Sequence, residues 1–394
     1  MYPYSTQSIQ EDDKSAVLCA LDDEHLTQGW RAREFESAIA RTCGARYASV
    51  CNSATSALYA AYHAIKSTLQ STQSTSKVAH NSTNAPIFAI TTPISFVATT
   101  NMMLANNITP LFADITPSGH LDPISVREIL TSHPHRAQVK LLVSMDYGGR
   151  SVDCTQMRQL AQEFDLIWLS DSSHAFGARF EGQRLGTQAD VSVFSFHAIK
   201  PITTAEGGAL VTNDERIHAH ASRLISHGIT KGRAWEYDCL DCGFNFRMHE
   251  LSAALGLSQI QKIESFIAKR EEIARFYDSH FAHNPFFTLL PPARDISTHH
   301  LYPIFLHPRF WAHKIAIFES LHARGVGVQV HYIPIHTFSL YKQRFGEIHL
   351  QNALRFYNAE LSIPCAQNMG RDDARKVGDI ILDVLDSYKR QKGL

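Results

Sequence analysis

The sequence predicts an α/β chain, with a large unit on a mainly parallel sheet followed by a smaller C-terminal α/β unit. Two observations carry this. As far as about residue 212, apolar runs of strand length alternate with stretches of helical period, the pattern of strands joined by covering helices. Beyond residue 247, helical period continues to about 277 and then gives way to mixed strands and helices. At 394 residues the chain is longer than one hydrophobic core usually supports. A large unit over 15–260 and a small one over 261–394 are therefore expected.

In chain order, residues 32–42 have helical period and a short strand follows at 47–50. Residues 54–65 are helical again, with Leu58, Ala61 and Ile65 on one face. Residues 67–86 differ in composition: Ser, Thr, Gln and Asn dominate. They offer too little apolar area to offset their ordering entropy, so an exposed, mobile loop is expected. Asn81-Ser82-Thr83 within it is a chance match to a glycosylation acceptor. Strands are expected at 87–91, 141–144, 166–169, 191–194 and 209–212, with helices at 125–130 and 154–164 among them. After Arg247 one long helical stretch reaches about 277, and strands and helices mix in 301–306, 312–324, 328–332 and 372–388.

Composition narrows the function. Hydrophobic residues make up 44% and charged residues 19%, with a net charge of −1 and no long block of one sign. That argues against nucleic acid or an anionic membrane as the main partner. The first thirteen residues lack the basic start and apolar core of an export signal, and no apolar run reaches membrane-spanning length. Seven cysteines stand without regular spacing, as expected of reduced thiols in a cytoplasm. Cys239-Leu-Asp-Cys242 has no second ligand pair at zinc spacing, and the 22 histidines form no metal motif, so no metal site is expected.

The chemistry concentrates where strands end, as it does in open α/β sheets. Lys200 follows the apolar run 191–194 and precedes the corner Glu206-Gly207-Gly208. An ammonium in an apolar pocket loses its proton readily, and the neutral amine is a nucleophile that forms Schiff bases with carbonyls, pyridoxal phosphate included. A lone lysine after a strand is ordinarily a surface residue, so the surroundings must decide. Asn52-Ser-Ala-Thr-Ser-Ala-Leu58 opens a helix with small and hydroxyl residues, either a phosphate cradle or a plain N-cap. Asp171 ends the run 166–169 and must pair with a protonated ring nitrogen or with a backbone amide. Phe96 stands after the run 87–91, either in the core or stacked on a flat ring.

Taken together, these segments resemble the sugar-nucleotide aminotransferases of the DegT/StrS type, within the aspartate-aminotransferase fold (fold type I) of pyridoxal-phosphate enzymes. Six motifs in order carry the likeness: 52–58, 95–99, 171–178, 195–208, Gly243-Phe-Asn-Phe-Arg247 and His331-Tyr-Ile-Pro334. The segments 92–99 and 195–208 look most like the branch that serves pseudaminic acid biosynthesis. The resemblance implies that Lys200 bonds to the cofactor and that Asp171 keeps its pyridine nitrogen protonated. It implies that His174, where many relatives have Gln, lies beside the ring and that Phe96 stacks on it. Ala54, Thr55 and Ser195 would hold the phosphate, with Asn245 reaching in from a second subunit of a homodimer. Tyr4, Leu26, Thr27, Arg247, His331 and Tyr332 would line the side that takes the nucleotide sugar, where Ala54, Ser195 and Asn245 also contribute. Residues 1–14 would pack near this site.

The expected reaction moves an amino group from glutamate to C4 of a UDP-linked 4-keto-6-deoxy-N-acetylhexosamine. The other C5 epimer of that sugar is the runner-up acceptor, and a regulator that only binds the cofactor is a third reading. A sugar 3-dehydratase is disfavoured, because that branch has histidine at the place of Lys200. Ala54 departs from the glycine of most relatives.

Overall fold

A computed structural model of the chain describes residues 1–74, 86–293 and 295–393. Helix α1 (Glu11–Leu21) and helix α2 (Trp30–Cys43) lead to strand β1 (Tyr47–Cys51) and helix α3 (Ala54–Ser74). Next come β2 (Ile87–Thr91), α4 (Ala98–Ala105), β3 (Ile108–Phe112), α5 (Pro123–Ser132), β4 (Val139–Met145), α6 (Cys154–Glu163) and β5 (Ile167–Asp171). A short hairpin, β6 (Arg179–Phe180) and β7 (Gln183–Arg184), precedes β8 (Val191–Ser195), β9 (Gly208–Thr212) and α7 (Glu215–Ile225).

These strands, the short hairpin apart, make one seven-stranded sheet in the order β1-β9-β8-β5-β4-β2-β3. The pairs β2–β3, β2–β4, β4–β5 and β5–β8 are parallel, whereas β9 runs antiparallel to both β8 and β1. All strands but β9 thus point their carboxyl ends to one edge. The central strands are covered on both faces and read as unbroken apolar runs. One face packs Ala57, Leu58, Ala61 and Ile65 of α3 against Val191, Val193 and Leu210. The other joins Phe35 and Ile39 of α2 to Phe194 and Phe196.

After a second hairpin, β10 (Ile229–Lys231) and β11 (Tyr237–Cys239), come α8 (Glu250–Ile260) and α9 (Ile263–His280). A three-stranded antiparallel sheet follows, from β12 (Phe287–Leu289), β13 (Tyr302–Leu306) and β14 (Glu360–Ile363). It shares a second core with α10 (Lys314–Ala323) and the terminal α13 (Arg371–Lys392). Between α10 and β14 run the short helices α11 (Ser339–Phe345) and α12 (Gln351–Ala359). Helix α9 bridges the cores: Ile263, Phe266 and Ile267 pack beneath the large sheet, and Ile273, Ala274 and Tyr277 enter the second core.

Three expectations need correction. The helix from residue 54 does not stop at 65 but continues to Ser74, so 67–74 is not loop. Thr68 is buried and its hydroxyl donates to the Ala64 carbonyl at 2.9 Å; hydroxyls satisfied within the helix remove much of the penalty that composition suggested. The rest of that segment, 75–85, lies outside the described residues. The long helix after 247 is two helices, broken at Gln261 and Lys262. Lys262 bonds to Asp12 at 2.6 Å and to Asp13 at 2.8 Å, a tertiary contact without a Gly or Pro signal. Finally, 328–332 is no regular strand: it is held to the sheet by the single bridge Gln329–Ser362 because most of its side chains serve a cavity.

Candidate active site

A cavity of about 660 Å³ opens where the carboxyl ends of the large sheet meet the second core. Its walls come from the segments after β1, β2, β4, β5 and β8, from His300 before β13, and from Tyr4 and residues 329–333. The sequence-predicted residues Lys200, Asp171, Ala54, Thr55, Phe96, His174, Ser195, Tyr4, His331 and Tyr332 all line it. Leu26, Thr27, Asn245 and Arg247 do not.

Lys200 sits on the β8–β9 connection. That loop is closed by Phe196 N–H donating to the Gly207 carbonyl and Thr204 N–H to the Phe196 carbonyl, each at 2.9 Å. Phe196 and Ile202 anchor it in the core. The lysine stem opens onto the cavity, but protein surrounds the amine. This burial, reinforced by the cationic Arg270 and opposed by Asp171, lowers the ammonium to about 7, so much of the amine is neutral at physiological pH. Its Nζ lies 3.2 Å from Nε2 of His300. Burial pushes the His300, His174 and His331 rings down, His331 to about 3. The lysine thus faces three neutral imidazoles.

Asp171 ends β5 with its carboxylate satisfied from two sides. Oδ2 accepts from Thr99 Oγ1 at 2.6 Å, and Oδ1 accepts from the Ser173 hydroxyl at 2.6 Å and the Ser173 N–H at 3.2 Å. Ser95 Oγ stands 2.8 Å from Thr99 Oγ1 and donates to it, because Thr99 spends its own proton on Asp171. These hydroxyls hold the carboxylate in place. His174 Nδ1 accepts from Gly148 N–H at 3.3 Å, which leaves Nε2 as the donor toward the Tyr332 hydroxyl at 3.0 Å. Phe96 is 59% exposed, 6.3 Å from the Tyr332 ring, and so has an open face.

The opening turn of α3 forms the last wall. Ser53 Oγ accepts from Ser56 N–H at 3.1 Å, and Ala54 and Thr55, whose amides at the helix start have no partner within the helix, line the cavity. Gly208 is required here: a Cβ on it would stand 2.4 Å from the Ala54 nitrogen, so only glycine lets β9 approach the helix end. The set fits pyridoxal phosphate: a neutral amine for its aldehyde, a fixed carboxylate for its ring nitrogen, and helix amides with Ser195 for its phosphate. The two readings left open for 52–58 and for Phe96 thus turn on the cavity both segments face. His300, Thr99, Ser173, His197, Glu206 and Gln329 also belong to the site and were missed. Thr99 and Ser173 were within reach, since each falls in a recognised motif; His300 carries no local signal.

Leu26, Thr27 and Asn245 are exposed. Arg247 is half-buried and donates to Ser226 Oγ at 3.2 Å. Thr27 bridges His249, Arg247 bridges Cys51, and Asn52 N–H donates to the Phe246 carbonyl at 2.8 Å. They form a strip beside the helix-end wall, outside the cavity. Cys239 and Cys242 are exposed. Among the described residues no group of side chains is arranged to hold a metal, and no helix is long and apolar enough to cross a membrane.

The DegT/DnrJ/EryC1/StrS aminotransferase family matches residues 7–382. The chain is 42% identical to the UDP-4-amino-4,6-dideoxy-N-acetyl-beta-L-altrosamine transaminase of Helicobacter pylori, over 98% of this chain and 99% of that one. It is 40% identical to the transaminase of the same name from Campylobacter jejuni, over 99% of each. The solved structure of Helicobacter pylori PseC, an aminotransferase involved in the biosynthesis of pseudoaminic acid, matches with a TM-score of 0.90 over 98% of this chain and 99% of that chain.

Proposed function

We propose that this chain, which belongs to the DegT/DnrJ/EryC1/StrS aminotransferase family, aminates C4 of a UDP-linked 4-keto-6-deoxy-N-acetylhexosamine for pseudaminic acid biosynthesis. It is an aminotransferase of fold type I, and pyridoxal phosphate is its cofactor. When bound, the cofactor supplies the electron sink for the C–H bond that must break. The observation that carries the acceptor is full-length likeness of 40–42% to the named transaminases, together with a cavity of matching chemistry.

The chain's own groups divide the work. Lys200 holds the cofactor and, once displaced, is a base of suitable strength: with its ammonium at about 7 it can take a proton from the α-carbon of the donor, which we take to be glutamate. The same amine returns a proton to C4 of the sugar. Asp171 would pair with the ring nitrogen. The Ala54 and Thr55 amides with Ser195 would hold the phosphate, and Phe96, His174 and Tyr332 would confine the ring. Tyr4, His331 and Tyr332 face the sugar.

Asn245 and Arg247 complete the neighbouring site of a homodimer. This reading is supported by the exposed apolar groups on the segments bonded to theirs, Leu26, Trp30 and Phe244, and by the suitability of a guanidinium for diphosphate. The decisive experiment is incubation of the purified protein with each C5 epimer of the 4-keto UDP-sugar and glutamate, with NMR of the product. Amination of the β-L-arabino epimer supports the proposal; turnover of the other epimer alone redirects it to a bacillosamine- or legionaminic-type step.

A further inference from the structure

Arg270 of α9 is fully buried, and among the described residues its hydrogen bonds go to neutral oxygens. Nε donates to Gln367 Oε1 at 2.7 Å. NH1 donates to the carbonyls of Cys365 at 2.7 Å, His299 at 3.1 Å and His300 at 3.5 Å, and NH2 donates to Ser5 Oγ at 3.2 Å. A buried charge without a counter-charge is costly to keep, and a hydrophobic residue would fill a helix position between two cores more cheaply. Its neighbours suggest what it is for. Ser5 accepts from Arg270 and passes its own proton on to the Ile199 carbonyl at 3.1 Å, the residue before Lys200. On the other side, the His299 and His300 carbonyls fix the backbone that places His300 Nε2 3.2 Å from the lysine amine.

We propose that Arg270 is a positioning residue for Lys200, a buried guanidinium that clamps the two backbone segments flanking the lysine amine and pins the N-terminal strap against its loop. The proposal rests on the reading of Lys200 as the cofactor's attachment point. Ser5 acts as the relay, since a hydroxyl can accept from a cation and donate to a carbonyl at once. The clamp ties α9, the strap, the 299–300 segment and the Cys365 turn into one unit around the amine. It also sets the sign of one electrostatic effect. Lys200 is faced by Asp171 from the end of β5, His174 from the turn after it, His300 from before β13, His331 from the 328–332 segment and Arg270 from α9, with His197 and Glu206 on the outer rim. The histidines there are held neutral by burial, so Arg270 is the fixed positive charge that favours the unprotonated lysine.

The test uses the full chain with the substitutions Arg270→Met, Arg270→Lys and Ser5→Ala. Two quantities are read on the apoprotein: the pH dependence of Lys200 acetylation by acetic anhydride, followed by peptide mass, and the rate of protease cleavage in the first ten residues. Arg270→Met should move the acetylation midpoint up by about half a pH unit, roughly a twofold loss of neutral amine at pH 7. Arg270→Lys, which keeps the charge but not the fork, should hold the midpoint near the original value and speed cleavage of the strap several-fold. Ser5→Ala should also speed cleavage; because it disturbs no packed core, it decides the matter if the Arg270 variants fail to fold. Unchanged cleavage and an unchanged midpoint in Ser5→Ala and in the folded Arg270 variants overturn the proposal. Borohydride reduction of the cofactor-loaded wild-type protein separates the two ideas, since a pyridoxyl adduct on a residue other than Lys200 defeats the underlying reading instead.

Discussion

The inner wall of the cavity and the strip beside it are built differently. On the inner wall the central polar groups have fixed partners: Asp171 is held by Thr99 and Ser173, His174 by Gly148 and Tyr332, and the lysine loop by its own backbone bonds. Along the strip, Leu26, Thr27 and Asn245 are exposed, and the apolar side chains of Trp30 and Phe244 are exposed beside them. A finished wall beside an exposed strip is the contrast that the proposed homodimer would account for, with the chemistry in one chain and its completion from a second copy.

Substitutions can break that contrast. Lys200→Ala should have the largest effect, a loss of transamination on the order of 10^4-fold or more, because the cofactor link and the proton carrier go together. Steady-state assays measure it, and residual turnover within a hundredfold of wild type would move the chemistry to another amine. Asp171→Asn should cost on the order of 100-fold in kcat with the cofactor still bound, since its phosphate cradle is untouched. Near-normal kcat would show that the ring nitrogen has another partner.

Gly208→Ala probes where the two regions meet. The added methyl must displace the start of α3, at a cost of about 1–3 kcal/mol; titration should show cofactor affinity weaker by tenfold to a hundredfold. An Asn245→Ala chain should be impaired alone but rescue Lys200→Ala in mixed dimers, because one of the two sites then keeps both residues. Absence of any regained activity after subunit exchange would place Asn245 in its own chain's site. Acid stability is a separate readout that leaves the substitutions aside. His299 and His331 are neutral in the fold, with burial holding each at about 3, against about 6.5 when unfolded. The unfolded state therefore binds the extra protons first, and stability should fall as pH drops from about 6.5 toward 3. Denaturant midpoints across that range check the slope.

The sheet and the inner wall were largely legible in the sequence, because apolar runs followed by Asp171 or Lys200 mark strand ends directly. The β3 strand and helix α4 were not read, being short or weakly patterned; α7 was passed over although Ile217, Ala221, Leu224 and Ile225 mark its buried face. The break between α8 and α9 depends on Lys262 meeting Asp12 and Asp13, some 250 residues away in the chain, which no local pattern records. His300 and Arg270 were invisible for the same reason: each looks ordinary until folding brings it to the lysine.

The opposed direction of β9 gives the lysine loop a different standing from the other walls. The loop leaves β8 and returns beside it within a dozen residues, so closing it costs little chain entropy. The phosphate wall instead needs residue 52 to meet residue 246, across half the molecule. Local contacts of this kind form ahead of distant ones. During refolding, pulse-labelled amide exchange should find the Phe196 and Thr204 amides protected before that of Asn52. The chain would then present its nucleophile before it has anywhere to seat the cofactor's phosphate, and the order of appearance of the two halves is written in the topology of a single strand.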